Sequence, residues 1–141
     1  MRFYNREKEL ELLGIIKERS EAEAQMTILV GRRRIGKTSL LKKSIENEDT
    51  ALYLFVTRKN EVLICDEFKE EIERKLHVQL FGSITHFKDL FRYLMDLSVS
   101  RKFTLIIDEF QEFYSVNQSV YSEMQNIWSY WSAKGRLLLE R

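Results

Sequence analysis

Apolar residues along the chain change their spacing several times, and each change marks an element. Over residues 6–20, Leu10, Leu13 and Ile16 recur at three-residue steps, with Leu12 and Ile15 widening the stripe, which predicts an amphipathic helix. Asn5 is placed to cap it, and Glu7 and Glu9 fall in its first turns, where the helix dipole favours negative charge. A polar connector (21–25) leads to residues 26–30, Met-Thr-Ile-Leu-Val, which read as a strand. A helix-compatible stretch follows from Ser39 and runs to about Glu48. Residues 51–56 form a nearly continuous apolar run, the pattern of a strand buried on both faces of a parallel sheet.

Arg58, Lys59 and Asn60 break that run, with Asn60 as a candidate cap. Ile64, Phe68, Ile72, Leu76 and Leu80 then repeat every fourth residue, predicting a helix from 61 to about 80. Residues 82–85 interrupt it, and Phe87, Leu90, Phe91 and Leu94 define another over about 86–97. Residues 103–107 are an apolar strand that runs directly into Asp108 and Glu109. A last helix is expected after Asn117 or Ser119, with Val120, Met124, Ile127, Trp128 and Trp131 on one face. Such an aromatic stripe reads as core or interface rather than as a stacking platform for bases. Gly135 ends that helix, and residues 136–141 begin a further strand.

Bulk properties narrow the class. With 141 residues, 44% hydrophobic and 32% charged, the sequence is that of a globular domain able to bury a core. A net charge of +1 draws it globally neither to nucleic acid nor to anionic membranes. No apolar stretch approaches the roughly 18–20 residues of a membrane span, and the amino terminus is too charged for a secretory signal, so a cytoplasmic location is expected. The single cysteine, Cys65, forms no internal disulfide, fits a reducing compartment, and lies beside Ile64 and Phe68 as a packing residue. His77 and His86 have no partner at metal-ligand spacing and suit surface or capping positions.

Two elements carry chemistry. Gly31, Arg32, Arg33, Arg34, Ile35, Gly36, Lys37 and Thr38 spell G-x-x-x-x-G-K-[ST] between a strand and a helix. Glycines let the backbone approach an anion closely, and the helix start adds unpaired N–H groups and a positive dipole end. Residues 31–39, Ser39 included, are therefore the expected nucleotide-phosphate cradle, with Lys37 on the β and γ phosphates and the Thr38 hydroxyl on Mg²⁺. A glycine turn before a basic helix is the simpler alternative, and the flanking strand and helix argue against it. Asp108, at the end of an apolar strand, supplies the hard oxygen Mg²⁺ needs, and Glu109 stands where a water-activating base belongs. Gln111 and Glu112 line the site without a further role.

The order of these blocks resembles the amino-terminal portion of the archaeal-type ATPases, P-loop NTPases related to the AAA+ and STAND proteins. The opening segment from Phe3 to Leu10, the segment from Val30 to Leu41 and that from Leu105 to Gln111 resemble the family's first, Walker A and Walker B boxes. Asn5 stands where many relatives have Gly or Asp. The resemblance implies an α/β fold, the three-layer α/β/α P-loop architecture with a mostly parallel sheet. It implies that residues 1–141 form one partial domain: 1–25 the helix and adenine-side box, 26–116 the core, and 117–141 a helix and strand stub. It also implies a continuation through a sensor strand, a fifth strand and a helical lid. In that fold the fourth strand lies between the phosphate-loop strand and the Walker B strand. Residues 137–140 supply only its start, so the sheet is expected to be truncated before the sensor strand is complete.

The resulting expectation is an ATP–Mg²⁺-binding domain of an ATPase, with Lys37 and Glu109 as catalytic residues and slow hydrolysis by this chain alone. The choice of ATP over GTP comes from the resemblance. A different expectation is a non-catalytic module that keeps the fold and assembles with copies of itself or with another protein. Nucleic-acid binding through Arg32, Arg33 and Arg34 is disfavoured, because arginines in such a loop are explained by nucleotide phosphates or carboxylate partners.

Overall fold

The computed structural model describes residues 7–19, 24–26, 37–57, 59–133 and 137–139. Contacts group the chain into two compact units, Met1–Glu48 with Tyr130–Arg141, and Asp49–Ser129.

In the first unit, helix α1 (Glu7–Arg19) packs on strand β1 (Ala24–Met26) and on helix α2 (Lys37–Ser44). Leu10 and Leu13 of α1 are half-buried, whereas Leu12 and Ile15 are 57% and 42% exposed. The buried stripe is therefore narrower than the sequence implies, because positions 12 and 15 lie about 100° around the helix from 13 and 16. Asn5 lies outside the described residues. β1 starts at Ala24, inside the expected connector, and residues 27–30 of the expected strand lie outside the described residues. α2 stops at Ser44 rather than near Glu48. There the Ser44 hydroxyl donates to the Leu41 carbonyl at 2.6 Å, and the Ile45 and Glu46 amides turn back to Lys42 and Lys43. These three-residue turns tighten the end of the helix. Strand β4, Leu137–Leu139, pairs in parallel with β1, Ala24 opposite Leu137 and Met26 opposite Leu139. That is one of the two neighbours the family resemblance assigns to this strand; Gly135 lies outside the described residues.

The second unit is built on a parallel pair, β2 (Ala51–Phe55) and β3 (Thr104–Asp108), in register from Ala51 opposite Thr104 to Phe55 opposite Asp108. A parallel pair needs a long crossover, and helices α3 (Glu61–Leu76) and α4 (Phe87–Leu97) provide it. One face of β2 is buried throughout, with Leu52, Leu54 and Val56 at most 1% exposed, while the other is buried at Ala51, half-buried at Tyr53 and 43% exposed at Phe55. A continuous apolar run does not distinguish one covered face from two, which is why the sequence implied two.

Asn60 caps α3 as expected, its side chain accepting from the Leu63 amide at 2.9 Å. The helix ends at Leu76, short of Leu80, because His77 adopts a left-handed conformation (φ 55°). Leu80 keeps its buried position from the loop, its amide donating to the Glu73 carboxylate at 2.8 Å. Gly82, at φ 78°, closes the turn, and its carbonyl accepts from Lys69 at 2.7 Å. His86 precedes α4 but makes no side-chain cap bond. Glu61 of α3 serves as the cap instead, its carboxylate accepting from the Phe87 amide at 2.9 Å and from the Asn117 side chain at 3.1 Å.

Past β3 come a 3-10 turn (Phe110–Glu112), the short helix α5 (Phe113–Val116) and helix α6 (Val120–Ala133). Val120, Ile127 and Trp128 of α6 are buried, Met124 is half-buried, and the side chain of Trp131 lies outside the described residues. An aromatic cluster fills the core. Phe113 is completely buried, with its ring 4.6 Å from Phe87, 5.4 Å from Phe110 and 6.1 Å from Phe68 between centroids. Cys65 is buried in this core, and burial, together with Glu61, Asp66 and Asp89, pushes its thiol up to about 12. Among the described residues, no helix is long and apolar enough to cross a membrane.

Candidate functional site

The acidic pair sits where a parallel strand stops. Asp108 is the last residue of β3 and is 1% exposed; Glu109 follows at 6%. Glu109 takes a left-handed conformation, φ 56° and ψ 38°, which turns the chain off the strand and into the 3-10 segment. A non-glycine residue in that region is strained, by about 1–3 kcal/mol, and needs firm anchors on both sides. On one side the strand pairing continues, with the Val56 amide donating to the Asp108 carbonyl at 3.0 Å. On the other, Phe110 and Phe113 lock the following turn into the aromatic cluster, and the Glu112 amide donates to the Glu109 carbonyl at 3.0 Å.

Both oxygens of the Asp108 carboxylate are held. Oδ1 accepts from the Glu109 backbone amide at 2.9 Å, and Oδ2 accepts from the phenol of Tyr53. The register explains the second bond: Tyr53 lies opposite Ile106, so Asp108 is two residues further along the same face, within reach of a long aromatic side chain. Glu109 is held in turn by Gln111, whose side-chain amide donates to its Oε2 at 2.5 Å. Glu112 is also buried, at 9% exposure. Three buried carboxylates within five residues are costly unless each is engaged by partners, and each of them is.

In the first unit, Lys37 opens α2 and Thr38 follows it, so the expected phosphate helix begins within its motif. Ser39 is half-buried and Leu40 is 2% exposed. The side chains of Lys37 and Thr38, and all of Gly31, Arg32, Arg33, Arg34, Ile35 and Gly36, lie outside the described residues. Lys42 and Lys43 in the last turn of α2 suit the negative end of its dipole.

The structure thus brings Asp108 and Glu109 together and adds two groups to which the sequence alone assigns no specific role, Tyr53 and Gln111. Tyr53 is the only hydroxyl in an otherwise apolar strand, a signal open to notice. The pairing register that aims it at Asp108 is not written in either strand alone. Chemically, the arrangement offers one carboxylate fixed by two donors, suited to a hard cation, beside a second that is buried and oriented.

The chain was compared with known proteins. A family model described as an ATPase domain predominantly from Archaea matches residues 3–139. Two proteins of Methanocaldococcus jannaschii are similar. One is the uncharacterized ATP-binding protein MJ0423, 50% identical over 46 residues that make up 33% of this chain and 75% of that protein. The other is the uncharacterized protein MJECL04, 31% identical over 125 residues, 89% of this chain but only 26% of that protein. The chain therefore spans about a quarter of the length of the second relative. No solved structure matches with significance. Since the family model covers nearly the whole sequence, the chain belongs to the family of ATPase domains found predominantly in Archaea.

Proposed function

We propose that this chain binds ATP with Mg²⁺ and belongs to an ATPase of three-layer α/β/α P-loop architecture. The observation that carries the proposal is the buried pair Asp108–Glu109 at the carboxyl end of a parallel strand, where open α/β sheets bind their ligands. Family membership and the ATP-binding description of one relative support it.

In this proposal the amides of residues 31–39 surround the phosphates, Lys37 supplies the cation against the β and γ groups, and the Thr38 hydroxyl and Asp108 carboxylate hold the metal. The donor chemistry fits: these are hard oxygens, and Asp108 is already oriented by two donors. Among the described residues no three His, Cys, Asp or Glu side chains cluster at ligand spacing. Mg²⁺ characteristically keeps waters and takes one or two carboxylates plus substrate phosphates, so a site of this kind needs no such cluster. When bound, Mg²⁺ neutralises charge that builds on the phosphate oxygens.

Glu109 then acts on water. Its carboxylate, held by Gln111, accepts a hydrogen bond from the attacking water and takes up its proton as the γ-phosphoryl group is transferred. Phosphoryl transfer depends on exact positioning and electrostatic stabilisation more than binding does, so binding is expected to exceed turnover, with slow hydrolysis by these 141 residues. Release of phosphate from radiolabelled ATP in the presence of Mg²⁺ tests the assignment. Whatever turnover exists should disappear in Lys37→Ala and in Glu109→Gln; robust turnover surviving both substitutions would defeat it.

A further inference from the structure

We propose that Tyr53 is a positioning residue for Asp108 and thereby sets the divalent-cation affinity of the site; this rests on the proposed role of Asp108 in holding a metal. Tyr53 donates its phenolic hydrogen to Asp108 Oδ2, while the Glu109 amide occupies one lone pair of Oδ1. With a donor on each oxygen, the carboxylate is oriented from both sides. The bond crosses between strands: β2 supplies the phenol and β3 the carboxylate, at positions fixed by the Tyr53–Ile106 register. Its neighbours Leu52 and Leu54 point into the buried face, so the phenol on the alternate face serves the strand end without disturbing that packing.

Partners of this kind behind a metal-binding carboxylate usually matter nearly as much as the ligand, and removing one costs about 10–100-fold in metal affinity. Removing the Tyr53 hydroxyl leaves Asp108 buried without the donor that β2 supplies to Oδ2. The loss should fall on the metal and not on the nucleotide.

The test uses the whole chain and Mn²⁺ as a paramagnetic probe, with free ion followed by electron paramagnetic resonance in the presence of a non-hydrolysable ATP analogue. Tyr53→Phe should weaken Mn²⁺ binding by about 10–100-fold while nucleotide affinity measured in chelator stays within about twofold of wild type. Asp108→Ala serves as the reference for loss of the carboxylate itself. If Tyr53→Phe binds Mn²⁺ like wild type while Asp108→Ala does not, the positioning role is wrong and the metal assignment stands. If Asp108→Ala also binds Mn²⁺ like wild type, the metal assignment falls and the role of Tyr53 with it. Should Tyr53→Phe fail to fold, Tyr53→Met offers a flexible side chain that likewise lacks the hydroxyl. Mn²⁺ affinity should then fall as it does for Tyr53→Phe, with nucleotide affinity in chelator retained. A folded Tyr53→Met chain that binds Mn²⁺ like wild type would overturn the proposal.

Discussion

Replacing Phe113 by Ala removes the ring that ties the turn after Asp108–Glu109 to the rest of its unit. The ring is completely buried and lies within 4.6 to 6.1 Å of Phe87, Phe110 and Phe68. Truncating a buried Phe costs about 3–5 kcal/mol, the lost transfer energy plus the cavity left behind. A three-ring site has little freedom to collapse, since Phe87 is itself pinned against Phe91 and Phe68, which places the cost toward the upper half of that range. Total stability is typically about 5–15 kcal/mol, so the substitution consumes a large share of it. Urea denaturation followed by tryptophan fluorescence, to which buried Trp128 contributes, reads the effect. With an m-value of about 2 kcal/mol/M, the midpoint should fall by roughly 2 M. Phe113→Leu, which keeps most of the volume, should cost about 1 kcal/mol. A midpoint shift below about 0.5 M for the alanine variant would show that Phe113 does not anchor this segment.

Other consequences are smaller. Asn60→Ala removes the cap of α3, and thermal or urea denaturation should show a loss of about 1 kcal/mol, with Asn60→Asp close to wild type. Glu61→Ala leaves the Phe87 amide and the Asn117 side chain without their shared acceptor; a loss of about 1–3 kcal/mol is expected, and a neutral result would remove Glu61 from the junction of α3, α4 and α5. Cys65 should resist thiol reagents at pH 8 in the folded chain and react at once in denaturant. Its thiol titrates near 12 folded but near its ordinary value unfolded, so the unfolded chain releases the proton first. Stability owed to this group is whole below about pH 9 and declines as pH rises from there toward 12, which urea midpoints measured across that window would reveal.

Much of the fold is legible in the sequence because several signals agree. Asn60 breaks an apolar run just where a period of four begins, so the start of α3 can be read directly, and its cap is formed. The end of α3 cannot. Leu80 continues the fourfold spacing and is indeed buried, but from a loop, because the left-handed His77 intervenes. Periodicity reports which side chains face the core and not whether the backbone joining them is helical. The cap of α4 is hidden for a similar reason: His86 has the position, yet the carboxylate comes from Glu61, a residue distant in sequence. At the site, Asp108 and Glu109 stand out as adjacent acids ending an apolar strand, and both are buried there. The roles of Tyr53 and Gln111 are not legible there, since they depend on strand register and on a left-handed turn at Glu109.

The proposed chemistry requires that one Mg²⁺-bound polyphosphate engage both Lys37 and Asp108. Equilibrium binding of a fluorescent ATP analogue to wild type, Lys37→Ala and Asp108→Ala, with Mg²⁺ and with chelator, asks whether it does. Binding should be lost with Lys37→Ala under both conditions, whereas Asp108→Ala should lose only the increment that Mg²⁺ adds. Affinities in the two variants equal to wild type, with the metal effect intact, would show that these residues do not share a ligand.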